Sequence, residues 1–237
     1  MIASRHFIPL KHLRAVLQLG QLSRYAAWHT LYHSHLTPGG FLMDPIYGKL
    51  ATFLNLFIYI LIRWPHGIRV KALAVSETRR KGIETVLLLG TFWGTTLIPV
   101  FWMLNGFPAS ADYPLHPMAF GIGVCFALVG HWMFHRSHVD LGLYWSPTLQ
   151  VREEHQLITT GVYAQIRHPM YSAMFLQGIG QMLFLPNWFA GPAWLVTFSA
   201  LYLFRVGNEE RMMSDRFGPQ YDSYCQETGR LMPRLSR

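Results

Sequence analysis

The sequence predicts an all-α fold: an integral membrane bundle of about five transmembrane helices, the last two paired as a helical hairpin. Three observations carry this. Of the 237 residues, 51% are hydrophobic and only 14% are charged, whereas soluble domains carry roughly a quarter charged residues. Apolar runs near the ~20 residues needed to cross a bilayer recur along the chain. Basic residues collect in alternate loops between those runs. Eight Trp and eleven Tyr suit a chain that meets two membrane–water interfaces, and a mean hydropathy of +0.19 implies spans separated by substantial polar segments.

Taken in order, residues 1–43 form an amino-terminal segment whose stretch "LKHLRAVLQLGQLSRYAAW" reads as an amphipathic helix lying at an interface. The first residues lack a long apolar core and a small-residue cleavage site, so no secretory signal is expected. A membrane domain, 44–237, follows. Its predicted spans are Pro45 to Trp64, Ile83 to Leu104, Met118 to about Phe134, Pro169 to Leu185, and Trp188 to Arg205. Only Pro186 and Asn187 separate the last two, hence the hairpin.

The loops give orientation. Arg63, Arg69, Lys71, Arg79, Arg80 and Lys81 lie between spans one and two, and "NGFPASADYPLHP" between spans two and three has no lysine or arginine. Basic residues return at Arg136, Arg152 and Arg167 and in the arginine-rich tail. The positive-inside rule then places the carboxyl terminus in the cytoplasm and, with five spans, the amino terminus outside. Arg5, Lys11, Arg14 and Arg24 in the amino-terminal segment pull the other way. The net charge of +8 sits in loops between apolar runs, which points to a membrane surface and away from nucleic acid as a partner. The two cysteines, Cys125 and Cys225, form no metal spacing or disulfide framework.

Residues able to do chemistry cluster on one side of the predicted bundle, in "HQLITTGVYAQIRHPMY" (155–171) and "RVGNEERMMSDRFGPQYDSY" (205–224). The hairpin brings the two stretches together. Gly161 permits a turn, and Pro169 fits the first turn of a helix, where its missing N–H costs nothing. His168 then stands at a helix N-terminus, a place that favours anions. The plain alternative is that Arg167 and His168 only anchor a span at the interface. Glu209 and Glu210 could accept the hydroxyls of a ribose or hold a cation; alternatively they form a solvated face with i,i+4 pairing to Arg205. His131, His135 and His138 fall at helix spacings of four and three on one face. Polar packing at a helix end is the preferred reading there, and no metal site is assigned.

The pattern "GVYAQIRHPMY", a hairpin-length gap, and "EERMMSDRFGPQYDSYCQETGRLMP" resembles the isoprenylcysteine carboxyl methyltransferase family, from about residue 155 to 233. The "HPMY" and "EE" elements are also similar to membrane phospholipid N-methyltransferases. The resemblance implies S-adenosylmethionine as cofactor, bound within residues 151–237. It carries over Gln156, Leu157, Gly161, Tyr163, Arg167, His168, Tyr171, Glu209 and Glu210 to the cofactor pocket. Arg205 matches an arginine beside the methyl acceptor, with Glu209 or His168 a candidate proton acceptor for an amine or thiol. The acceptor implied is a lipophilic or amphipathic molecule entering from the bilayer. Residues 1–150 carry no motif for any one substrate group, and the oligomeric state is not legible.

Two rivals follow from the same residues. Arg-His-x-x-Tyr and "YDSYC" also resemble the carboxyl-terminal pattern of membrane sterol-type reductases, which includes a Tyr-x-x-Tyr/Trp-Cys element; those enzymes bind NADPH, whose 2′-phosphate asks for a cluster of Arg or Lys, and the last lysine here is Lys81. A transporter or scaffold would hold polar groups near mid-membrane. Gln177 and Gln181 are the polar exceptions in span four, able to line a slot or to hydrogen-bond a neighbouring helix.

Overall fold

The computed structural model describes residues 42–71, 77–78, 82–142, 150–151 and 156–234. The predicted amphipathic segment lies outside them, except its last two residues, as do Arg79, Arg80, Lys81, Arg152 and His155. The described chain is helical, with one amendment to the all-α expectation. Glu77–Thr78 (β1) pairs antiparallel with Gln150–Val151 (β2), so two interhelical loops meet in a two-residue ladder.

Helix α1 is Pro45–Lys71. Asp44 caps it, its Oδ1 accepting from the Ile46 N–H at 2.8 Å, and Pro45 occupies the first turn. The second span is one path in three pieces: α2 Gly82–Phe92, a π turn Trp93–Leu97, and α3 Ile98–Asn105. Pro99 gives the physical reason for the wide turn. It has no N–H for the Thr95 carbonyl, and the looser backbone just before it absorbs that loss. Gly94 in this turn presses on the helix behind it: a Cβ there would fall 2.1 Å from Thr197 Oγ1 and 2.5 Å from the Ala193 carbonyl oxygen.

Helix α4, Pro117–Leu141, runs a full turn and more past the predicted end at Phe134. Against it packs α5, Pro169–Phe184, closely enough that Gly130 backs onto the Gln177 side chain. Helix α6, Ala193–Phe217, continues unbroken beyond Arg205, so Arg205, Glu209 and Glu210 share one rigid element. Gly218 turns the chain into α7, Pro219–Glu227.

Among the described residues three helical stretches are long and apolar enough to cross a membrane: Pro45–Ile68, Gly82–Asn105 and Pro117–Leu141. Their outer faces carry large exposed apolar side chains, such as Phe53, Leu61, Leu89, Phe101, Leu128 and Trp132. In water such a surface would aggregate; in lipid it is the expected exterior. The protein is a multi-pass membrane protein. Helix α5, at 16 residues, is about 24 Å long and falls short of the same measure.

The joint between α5 and α6 is also longer than Pro186–Asn187. Asn187 is the cause. Its Oδ1 accepts from the N–H groups of Phe189 (2.9 Å) and Ala190 (2.7 Å), holding a turn where hydropathy alone reads helix. Its Nδ2 donates to Asp112 Oδ1 at 2.7 Å, and Trp102 Nε1 donates to the same oxygen at 2.7 Å. This end of the bundle is thereby closed. The polar stretches gather at the other end.

The core is aromatic. Tyr59 of α1 stacks on Phe134 of α4 (4.9 Å between ring centroids) and meets Trp194 of α6 edge-on (5.6 Å). Gln181 is fully buried and donates to the Ala190 and Gly191 carbonyls at 3.2 Å. It bonds a neighbouring segment and lines no slot.

Candidate functional site

The loop before α5 is held from three directions. Gly161 takes φ +61°, and a Cβ there would fall 2.2 Å from Asp140 Oδ2. Glycine is required on both counts. That approach lets Asp140, itself paired with Arg136 at 2.6 Å, accept the Val162 N–H at 2.9 Å. A short 3₁₀ turn, Gly161–Ala164, follows. The second support is the tail after α7. Ile166 and Gly229 form a parallel bridge, with the Arg167 N–H donating to the Gly229 carbonyl (2.8 Å), the His168 N–H to Arg230 (3.0 Å), and the Gly229 N–H to Gln165 (3.1 Å). The third is Tyr224, whose hydroxyl donates to the Tyr163 carbonyl at 2.7 Å.

The charges then interlock. Arg167 donates to the Cys225 carbonyl (3.0 Å) and the Thr228 carbonyl, capping the end of α7, while its Nε lies 3.5 Å from Glu210 Oε1. His168 stands between two acids: Nε2 is 3.3 Å from Glu210 Oε1 and Nδ1 is 3.7 Å from Glu209 Oε2. Arg230 grips both oxygens of Glu210. Burial alone would raise the Glu210 carboxyl; the hydrogen bonds from His168 and Arg230 outweigh it and hold the group at about 2. The Arg205 Nε donates to Glu209 Oε1 at 2.8 Å, the i,i+4 pair expected from spacing, here largely buried rather than solvated.

Beneath this network lies a cavity of about 470 Å³, within the size range of small-molecule sites. Its wall combines Gln156, Leu157, Tyr163, Arg167, His168 and Tyr171 from one stretch with Arg205 and Glu209 from the other. Tyr221 and Tyr224 close the polar end. Toward the membrane the lining becomes apolar, with Leu56, Ile60, Phe92, Phe134 and Phe198. Ile60 and Phe92 also face outward, so this end abuts lipid.

Of the residues singled out by sequence, Gly161 and Glu210 do not line the cavity. Gly161 shapes the turn. Glu210 sits behind the wall and fixes His168, Arg167 and Arg230. The three histidines share one helix but differ in burial: His131 and His138 are buried and His135 is exposed. Among the described residues no group of three His, Cys, Asp or Glu could hold a metal. Sequence reasoning missed Asp140, the 228–230 backbone, and Arg63, which lines the cavity from α1. It also passed over Glu84, although a lone acid inside "GIETVLLLG" is a signal by itself.

Comparison with known proteins follows the same lines. Residues 122–215 match the model of the isoprenylcysteine carboxyl methyltransferase (ICMT) family. The protein-S-isoprenylcysteine O-methyltransferase of Tribolium castaneum is 25% identical over 200 residues, covering 79% of this chain and 66% of that protein. Protein-S-isoprenylcysteine O-methyltransferase B of Arabidopsis thaliana is 27% identical over 166 residues, 69% of this chain and 84% of that one. The solved structure of a eukaryotic intramembrane Ras methyltransferase, ICMT, superposes with a TM-score of 0.45 at 26% identity, over 65% of this chain and 52% of that chain. This chain therefore spans about two thirds of the beetle protein and about half of the solved one. By their names, the two curated relatives are methyltransferases of protein-S-isoprenylcysteine. Residues 122–215 of this chain are thus similar to the isoprenylcysteine carboxyl methyltransferase family.

Proposed function

We propose that this protein transfers a methyl group from S-adenosylmethionine to a lipophilic or amphipathic acceptor at the membrane interface. The observation that carries the reading is the cavity itself. Two stretches about forty residues apart in sequence enclose it, polar on the aqueous side and apolar on the lipid side. A water-soluble donor and a lipid-soluble acceptor can meet only at such a boundary.

The residues present fit the donor. Tyr171, in the wall, has a buried hydroxyl with Glu209 and Arg205 as charged neighbours and no hydrogen bond of good geometry among the described residues, a polar group that a ligand would satisfy. Gln156, Arg167 and His168 supply donors for a carboxylate, and Glu209 an acceptor for a ribose or an ammonium. When bound, S-adenosylmethionine supplies a methyl group on a positively charged sulfur. What the chain contributes is alignment and exclusion of water, which make up most of the advantage in such a transfer. Arg205 orients an anionic acceptor; a carboxylate arrives ionised and asks for no base. For an amine or thiol acceptor, Glu209 is placed to take the proton. Glu210 acts from behind the wall, keeping His168 and Arg167 in place.

The topology we infer adds α5 and α6 as a re-crossing pair, giving five spans with the carboxyl terminus in the cytoplasm. The distribution of Arg63, Arg136, Arg167 and the tail arginines supports this side.

The test is a screen of amphipathic carboxylates, thiols and amines with methyl-labelled cofactor and purified protein. N-acetyl-S-farnesylcysteine serves as the carboxylate probe, since the named relatives act on isoprenylcysteine. Label transferred to one class, and lost in the Arg205→Ala variant, supports the reading. Retention of all label on the cofactor across the panel contradicts it.

A further inference from the structure

We infer that Glu84 is a positioning residue that, with Glu209, fixes the Arg205 guanidinium facing the cavity. The inference rests on the proposed acceptor-side role of Arg205.

Glu84 lies in the first turn of α2, where an acid ordinarily serves the helix N-terminus. Here it does not. Its side chain is fully buried, and neither carboxylate oxygen accepts a hydrogen bond, from its own helix or elsewhere among the described residues. Its nearest charge is Arg205 Nη1, 3.7 Å from Oε1, on a helix more than a hundred residues away in sequence. A buried carboxylate without hydrogen bonds is among the costlier groups a bundle can hold, and it persists only with a compensating charge.

Arg205 thus has carboxylates on two edges. Glu209, one turn along α6, takes Nε at 2.8 Å; Glu84, from α2, faces Nη1. Glu209 holds the guanidinium through Nε, on the edge that shares its helix. The second acid, on a different helix, adds a hold on the opposite part of the guanidinium, at Nη1. Arg205 and Glu209 line the cavity and Glu84 does not, so Glu84 acts on the cavity through residues that face it, Arg205 first among them. The competing explanation is that Glu84 is no more than the counter-ion that lets Arg205 be buried.

The two explanations part in a double-mutant cycle on the full chain, using Glu84→Gln, Arg205→Ala and the pair. S-adenosylhomocysteine binding, the rate with N-acetyl-S-farnesylcysteine, and melting temperature are measured for each. A positioning role predicts that Glu84→Gln keeps cofactor affinity within about twofold, lowers kcat by about tenfold or more, and causes no further loss in the Arg205→Ala background. Glu84→Asp, which keeps the charge, recovers part of the rate. The cycle read as melting temperature needs no acceptor. Arg205→Ala strands the Glu84 charge and lowers the melting temperature by several degrees, and most of that loss disappears in the Glu84→Gln background. The inference is overturned if Glu84→Gln turns over within twofold of wild type per cofactor-binding molecule, or if the two substitutions are additive in melting temperature. Failure of the wild type to bind S-adenosylhomocysteine at all would instead overturn the methyl-transfer reading.

Discussion

The Tyr224 hydroxyl donates to the Tyr163 carbonyl at 2.7 Å, so the carboxyl-terminal helix α7 holds the turn that begins the cavity wall. Both side chains line the cavity and both are buried. Burial pushes the Tyr224 phenol up to about 12, so this donor keeps its proton throughout the working range. Tyr224→Phe leaves the Tyr163 carbonyl unsatisfied, at a cost of about 1–3 kcal/mol. The expected result is a lower melting temperature and an S-adenosylhomocysteine affinity reduced about three- to tenfold, read by thermal melts and titration calorimetry.

Glu210 gives a pH prediction. Its carboxyl is held at about 2, below the usual carboxylate range, by His168 and Arg230 against the opposing effect of burial. A depressed folded-state value means that the stabilisation is complete above the unfolded value, near 4.5, and is lost as pH falls toward 2. Discounted for the solvent that the Arg230 side reaches, the contribution is about 1–2 kcal/mol. Glu210→Gln should therefore melt lower at neutral pH and show a flatter loss of stability below pH 4.5. Parallel acid titrations of wild type and variant check this.

Gly161→Ala tests the loop. The new Cβ would meet Asp140 Oδ2 at 2.2 Å in a backbone conformation of φ +61° that alanine resists. Asp140 must then move and release the Val162 N–H. A loss of about 2 kcal/mol or more is expected, with cofactor binding weakened although Gly161 does not touch the cavity. A differential scan with and without S-adenosylhomocysteine reads both effects.

His168→Ala and Arg205→Ala should separate binding from turnover. His168 sits on the aqueous side between Glu209 and Glu210, so its loss should abolish cofactor affinity while leaving expression and membrane insertion intact. Arg205 sits deeper, and its removal should lower turnover of an identified acceptor far more than cofactor affinity. Equilibrium binding and initial rates on the same preparations give the comparison.

Much of this was legible in the chain. Hydropathy found the first three spans because lipid demands long apolar runs, and the end where the polar stretches gather followed from where charge returns. Helix ends were less legible. Asn187 ends a helix through bonds to Asp112 and to its own loop, and no local pattern records a partner so far away in sequence. The site was legible as two stretches but not as a wall with a support behind it. Glu209 and Glu210 look alike in sequence, yet α6 turns one toward the cavity and the other toward Arg230. Asp140 and Glu84 act through contacts with Val162 and Arg205, which only packing brings near.

The most direct measurement is the thermal stabilisation of purified protein by S-adenosylhomocysteine, with NADPH alongside and His168→Ala as control, since a ligand bound to the folded state raises apparent stability. We predict a saturable upward shift with S-adenosylhomocysteine, none with NADPH, and none with either in the variant. A shift with NADPH alone, or an equal shift in wild type and His168→Ala, would contradict the assignment of this cavity to the methyl donor.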